Sequence, residues 1–316
     1  MKAPLLLTAL ALTALPAPGQ NGSRPGIPGI MDPNTPIEKL AGGMKFTEGP
    51  VWVPDRTAPG GGYLLFSDIP DNVIYRWQEG GKPTVFRQPC GNTNGHTLDA
   101  QGRLLSCEHS GRRVSRTEKD GRVITLADRY DGKRLNSPND IVVRSDGSIY
   151  FTDPPYGIQK DQEELGFYGV YRLSPDGRLT LLTRQFVRPN GLAFSPDEKR
   201  LYINDSQENF VYVFDVREDG TLTNGRMFAD LKSPGKDGAA DGLKVDIRGN
   251  IYTTGPEGVW IFAPNGKLLG KIIPPEVPAN VAWGGRDYRT LYMTARTGLY
   301  RVRLKIPGVP PGRKRR

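Results

Sequence analysis

From residue 36 onward, short apolar runs alternate with clusters of Asp, Asn, Ser, Pro and Gly, and no window beyond the first twenty residues holds a helical period. The pattern predicts strands and tight turns. Its clearest copy is RPNGLAFSPDEKRLYINDSQENFVYVFDVREDG, residues 188–220, where NGLAFS, RLYIND and NFVYVFDV read as successive strands, here named a, b and c. MFADL, beyond the next turn, reads as strand d. Asp or Asn beside Gly in KDG 119–121, SPDG 174–177, EDG 218–220 and PNG 264–266 supplies the backbone freedom that tight hairpins need.

The unit recurs six times. Its opening residues are Glu48, Asn94, Asn139, Asn190, Asp241 and Asn280, separated in turn by 46, 45, 51, 51 and 39 residues. Such spacing suits units of three or four short strands. Strand b returns as YLLFSD, RLLSCE, SIYFTD, RLYIND, NIYTTG and TLYMTA, and strand c as NVIYRW, RRVSRT, GVYRLS, FVYVFD, GVWIFA and GLYRVR. An all-β fold follows, a six-bladed β-propeller over residues 36–305. The sixth copy runs from RVRLKI into PGVPPGRKRR without a strand d, whereas IEKLAGG holds that place before Glu48. The N-terminal strand is thus expected to complete the last blade and remove the open edge.

The ends and the charge add a compartment. MKAPLLLTALALTALPAPGQ carries one Lys, a short apolar core and small residues at Ala17 and Gly19, the make-up of a signal peptide over 1–19 that directs the chain to the periplasm or the medium. Residues 20–35 read as a flexible leader and 306–316 as a solvated basic tail. Four charges of the net +9 lie in Arg313, Lys314, Arg315 and Arg316 and one in Lys2, and the rest are scattered through turns. No nucleic-acid face is expected, no membrane contact after cleavage, and a monomer is the default. Cys90 and Cys107 are the only cysteines; a disulfide between them and two buried thiols are both open.

In a propeller every strand a lines the central channel, so the six opening residues converge at one mouth. Carboxylates and carboxamides without Cys suit one hard divalent cation, calcium first, then magnesium or manganese. Asn-Gly and Asp-Gly also start turns, but Glu48 is a poor turn residue and holds the equivalent place. Asp68, Glu108, Asp153 and Asp205, each ending a strand b, either orient that ring or cap loops. His96, two residues past Asn94 on the expected same face, and His109, just after a strand b, are candidates for a general base or a substrate contact. The chain contains no GxSxG, HExxH, GK[ST], GxGxxG or EF-hand loop, which removes the usual support for serine-hydrolase, zinc-protease and nucleotide chemistry.

EGPVW at 48–52, CEH with RR at 107–113, NSPNDIVV at 136–143, YFTDPPYG at 150–157, RPNGLAFSPD at 188–197 and DGLKVD at 241–246 together resemble one family. It is the family of senescence marker protein (regucalcin), gluconolactonase and luciferin-regenerating enzyme, and SPND with FTDPPYG is most similar to its bacterial gluconolactonases. The resemblance implies a metal-dependent hydrolase that opens sugar-type lactones with calcium or zinc. It implies that Glu48, Asn190 and Asp241 hold the cation and that Asn139 completes the coordination directly or through water or substrate. Asp140 would contact substrate, and Asn139 with it; His96 and His109 lie outside the family's core ligand set and, with Asn94, are substrate-contact candidates from their positions alone. Asp241 would be the base for the attacking water, or the cation itself would activate that water. Ser137 stands where some animal members have Arg, so their sugar contacts do not carry over. Arg112 or Arg188 could attract an acidic sugar. The alternatives are another ester or phosphotriester hydrolase on the same scaffold, or a non-catalytic propeller stiffened by calcium.

Overall fold

A computed structural model describes residues 25–312, so the signal-peptide segment and Arg313–Arg316 lie outside the described residues. The six repeats form six antiparallel four-stranded sheets in the order a-b-c-d. Strand a is Thr47–Pro54, Thr93–Leu98, Ile141–Val143, Pro189–Phe194, Leu243–Val245 and Pro278–Gly284 in blades one to six. The last sheet takes its outer strand, Ile37–Ala41, from the N-terminal side, paired antiparallel with Gly298–Arg303. Closure by the N-terminal strand is therefore as the repeat count predicts.

The core is spread along the seams between blades because each sheet is apolar on both faces. Trp52 of blade one stacks on Tyr292 of blade six with ring centres 5.5 Å apart, packed among Leu64, Phe66, Trp77 and Leu299. This seam joins the first and last blades. Removing so large a buried ring costs about 3–5 kcal/mol, so the closing seam is held by packing as well as by strand pairing.

Both terminal segments depart from expectation. Ile27, Ile30 and Met31, in the supposed leader, are buried against Tyr252, Val281, Met293 and Val302. Ile30 O accepts a hydrogen bond from Lys305 N at 2.8 Å. The supposed solvated tail likewise docks over residues 306–312: Ile306 and Gly308 are buried. Gly308 N donates to Tyr288 O at 2.8 Å and Val309 N to Val245 O at 3.2 Å. A Cβ on Gly308 would lie 1.8 Å from the Trp283 ring, so only glycine lets the tail cross there. Val309, Pro310, Pro311 and Gly312 then roof a cavity of about 90 Å³ in the channel. Proline and glycine here give a close-fitting irregular strap, which composition alone reads as loop.

Candidate active site at the channel mouth

Where strand a begins, its pairing with strand b slips. The register shifts between Glu48 and Val51, Thr93 and His96, Pro189 and Leu192, and Pro278 and Asn280. In blades three and five strand a starts just after Asn139 and Asp241. A bulge re-aims side chains and ends the two-residue alternation, so all six opening residues can face one another.

Glycine makes the convergence tight. A Cβ on Gly49, whose φ is +53°, would fall 1.8 Å from Asn94 O, and one on Gly191 would fall 2.1 Å from Asp241 O. The backbones meet instead: Gly95 N donates to Asn139 O at 2.8 Å and Gly191 N to Asp241 O at 2.9 Å.

The side chains form a directed chain of hydrogen bonds. Asn94 Nδ2 donates to Asn139 Oδ1 at 2.6 Å, and Asn139 Nδ2 donates to Asn190 Oδ1 at 2.5 Å. Asn190 and Glu48 both reach the Asp241 carboxyl. From the other side Asn280 Nδ2 donates to Glu48 Oε2 at 3.0 Å, and Gly49 N donates to the same oxygen at 2.5 Å. The Asn280 amide thus donates to Glu48 itself, and the Asn94 and Asn139 amides donate in sequence toward Asn190 beside Asp241. Glu48, Asn94, Asn139, Asn190 and Asn280 are buried, while Asp241 stays partly exposed and borders a cleft of about 550 Å³ beside Lys45, Phe46 and Arg296.

Two facing carboxylates in a buried ring hold protons strongly. Burial raises Glu48 to about 7, against the pull of the Gly49 N–H and the Asn280 amide, and the Asp140 charge adds to the rise. Burial, then the Glu48 charge, then that of Asp140 push Asp241 well above the usual carboxylate range. Among the described residues no three His, Cys, Asp or Glu gather round one point. The other oxygens of the ring are carboxamides. Two carboxylates pressed together with amide oxygens beside them is a donor set that fits a calcium-like cation, which would replace the proton.

The other predicted residues divide. His109 joins the ring, its Nε2 3.1 Å from Asn139 Oδ1. His96 does not. The bulge after Thr93 turns it away from Asn94, and both ring nitrogens are engaged, Nε2 at 2.8 Å from Ser67 Oγ and Nδ1 at 2.8 Å from Ser106 Oγ. Burial, reinforced by the Arg87 charge, lowers its pKa to about 3. Asp140 is 2 % exposed, and its Oδ2 lies 3.5 Å from Lys244 Nζ. Asp68, Asp153 and Asp205 accept backbone N–H groups of the loops that lead into strand a, Asp205 from Val187 at 2.6 Å and Arg188 at 3.1 Å. Those carboxylates cap loops. Glu108 instead pairs with Arg113 at 2.7 Å. Cys90 and Cys107 are separate buried thiols. Arg112 is buried and donates to Leu135 O at 2.7 Å, so it is no rim charge.

Tyr156 was not singled out by the sequence. Its hydroxyl bonds Ser206, and Asn190 Nδ2 lies 3.5 Å from that serine. Arg188, exposed at the rim, stands over its ring at 5.6 Å. The aromatic in FTDPPYG, on the loop after strand b of blade three, was the available signal.

A six-bladed propeller with a buried carboxylate and carboxamide ring at one mouth defines the class. The model of the SMP-30/Gluconolactonase/LRE-like region matches residues 46–297, and the chain belongs to that family. It is 35% identical to a gluconolactonase of Zymomonas mobilis over 90% of this chain and 85% of that one. A pentonolactonase of Haloferax volcanii is 28% identical over 79% of this chain and 81% of its own length. The solved structure of a gluconolactonase from Xanthomonas campestris superposes with a TM-score of 0.78 at 36% identity, covering 86% of this chain and 90% of that one.

Proposed function

We propose that this protein is a lactonase that opens sugar-type lactones with the help of one divalent cation, calcium first and zinc, magnesium or manganese next. The carrying observation is the Glu48 and Asp241 pair at the end of the amide chain, with Asp241 alone of the ring partly open to solvent. The named activities of the Zymomonas and Haloferax relatives support the lactone as substrate class. Glu48, Asn190 and Asp241 would hold the cation, with Asn139 completing the set. Bound there, the cation supplies positive charge to polarise the lactone carbonyl and to offset the charge that develops on its oxygen.

The chain's own residues do the rest. Asp241 faces the cleft, so it is the carboxylate placed to take a proton from the attacking water. Asn280 and Gly49 hold Glu48 in one orientation, which fixes where Asp241 can point. Asn139, Asn94 and His109 line the same side and present amide and imidazole groups to substrate hydroxyls. Asp140 lies beneath them as a further polar group on that path.

A panel comparing glucono-1,5-lactone, smaller lactones, an aryl ester and a phosphotriester tests the class, each assayed after chelation and after return of single cations. Preferential turnover of sugar lactones supports the reading, and preference for the ester or phosphotriester rejects it. The apolar, lysine-led start further supports a periplasmic or secreted location, checked by fractionating cells that express the full chain.

A further inference from the structure

Three carboxylates approach the channel axis, although only two end in the ring. Glu48 and Asp241 face each other, and Asp140 turns below them, where its charge acts on both. Asp140 Oδ1 accepts Ile141 N at 2.8 Å, but Oδ2 is buried and receives no hydrogen bond from the described residues. A buried carboxylate oxygen without a donor is costly unless a positive charge stands near it. Lys244 supplies one. It sits three residues after Asp241 between the buried Leu243 and Val245, on the face of strand a that looks into the channel. Its Nζ lies 3.5 Å from Asp140 Oδ2, donates to Leu243 O at 2.9 Å, and the side chain borders the cavity closed by Val309–Gly312.

We propose that Lys244 is a resident counter-charge for the channel carboxylates, a positioning residue that leaves room for one divalent cation rather than two. The inference rests on reading Glu48 and Asp241 as the cation's ligands. A divalent cation would balance Glu48 and Asp241, and the ammonium stands against Asp140 beside them without leaving when the cation does. Lys244 therefore limits how strongly the mouth attracts cations, and it holds the Asp140 side chain in place whether the cation is bound or absent.

Calorimetric titration of the chelator-stripped mature protein with calcium chloride tests this without substrate. At an effective dielectric near 20, a unit charge a few ångströms from the site changes cation affinity by at least about tenfold. Lys244→Met should bind calcium at least about tenfold more tightly than wild type, and Asp140→Asn at least about tenfold more weakly. The double variant, with both charges gone, should return close to the wild-type Kd, because the two opposite charge effects add; loss of packing would weaken binding in both single variants and more so in the double. An unchanged or weaker Kd in Lys244→Met overturns the inference. Should that variant fail to fold, Asp140→Asn and the double variant decide it, and equal Kd values for those two overturn it. A wild-type protein that takes up no divalent cation defeats the reading of the site itself, and that arm is read separately.

Discussion

Asn280 Nδ2 and Glu48 Oε2 stand 3.0 Å apart, although 232 residues separate them along the chain. The bond joins the last blade to the first at the mouth of the channel, so closure of the propeller and orientation of a site carboxylate are one event. Asn280→Leu should lower stability by about 1–2 kcal/mol, since the buried Glu48 loses a donor, and should weaken cation binding in the same protein. Denaturant unfolding and calcium titration of the variant check both effects.

Asp241→Asn removes one of two carboxylates that repel each other. The metal-free variant should be more stable than metal-free wild type by about 1–3 kcal/mol, and its lactone turnover should fall by about 100-fold or more. Thermal unfolding in chelator, set beside initial rates, separates a residue kept for chemistry from one kept for the fold. Loss of both stability and turnover would make Asp241 structural.

His96 and His109 should behave differently. Between Ser67 and Ser106, His96 is held neutral, with a folded pKa of about 3 against an ordinary value near 6.5. Because the folded state binds fewer protons in that window, its contribution to stability is complete above about 6.5 and falls as the pH drops toward about 3, by on the order of a few kcal/mol. His96→Asn should flatten part of that slope and leave KM unchanged. His109→Ala should raise KM for a sugar lactone several-fold with a smaller loss of stability, measured at neutral pH.

The N-terminal closure has its own acid limit. Burial alone would raise Glu276, but hydrogen bonds from Lys39, Tyr300 and Thr297 outweigh it and hold the carboxyl at about 2. A depressed carboxylate stabilises the fold above its unfolded value, near 4.5, and that contribution is lost as the pH falls toward about 2. Glu276→Gln should cost about 1 kcal/mol at pH 7, after allowing for screening at the exposed Lys39. The difference from wild type should vanish near pH 2, as followed by urea unfolding.

Much of this was legible in the residues because a repeat shows equivalent positions side by side. Glu48 among asparagines marked the ring, and IEKLAGG marked the closing strand. What escaped has physical causes. The bulge after Thr93 breaks the two-residue period on which His96 was assigned to the face of Asn94. The acids that end strand b cap loops in three blades, which only hydrogen-bond partners can reveal. Nothing in DGLKVD marks Lys244 as a channel residue until the channel is closed around it. Gly308 and Pro310 read as loop, yet they are the residues that let a strap lie flat on Trp283.

The proposed activity depends on one cation, held by Glu48 and Asp241. Its most direct test is glucono-1,5-lactone turnover by chelator-stripped protein as calcium is added, with Glu48→Gln titrated beside it. No turnover is expected at the start, then a rise that saturates at one cation per chain, with little recovery in Glu48→Gln. Full turnover in the stripped protein, or equal recovery in Glu48→Gln, would contradict it.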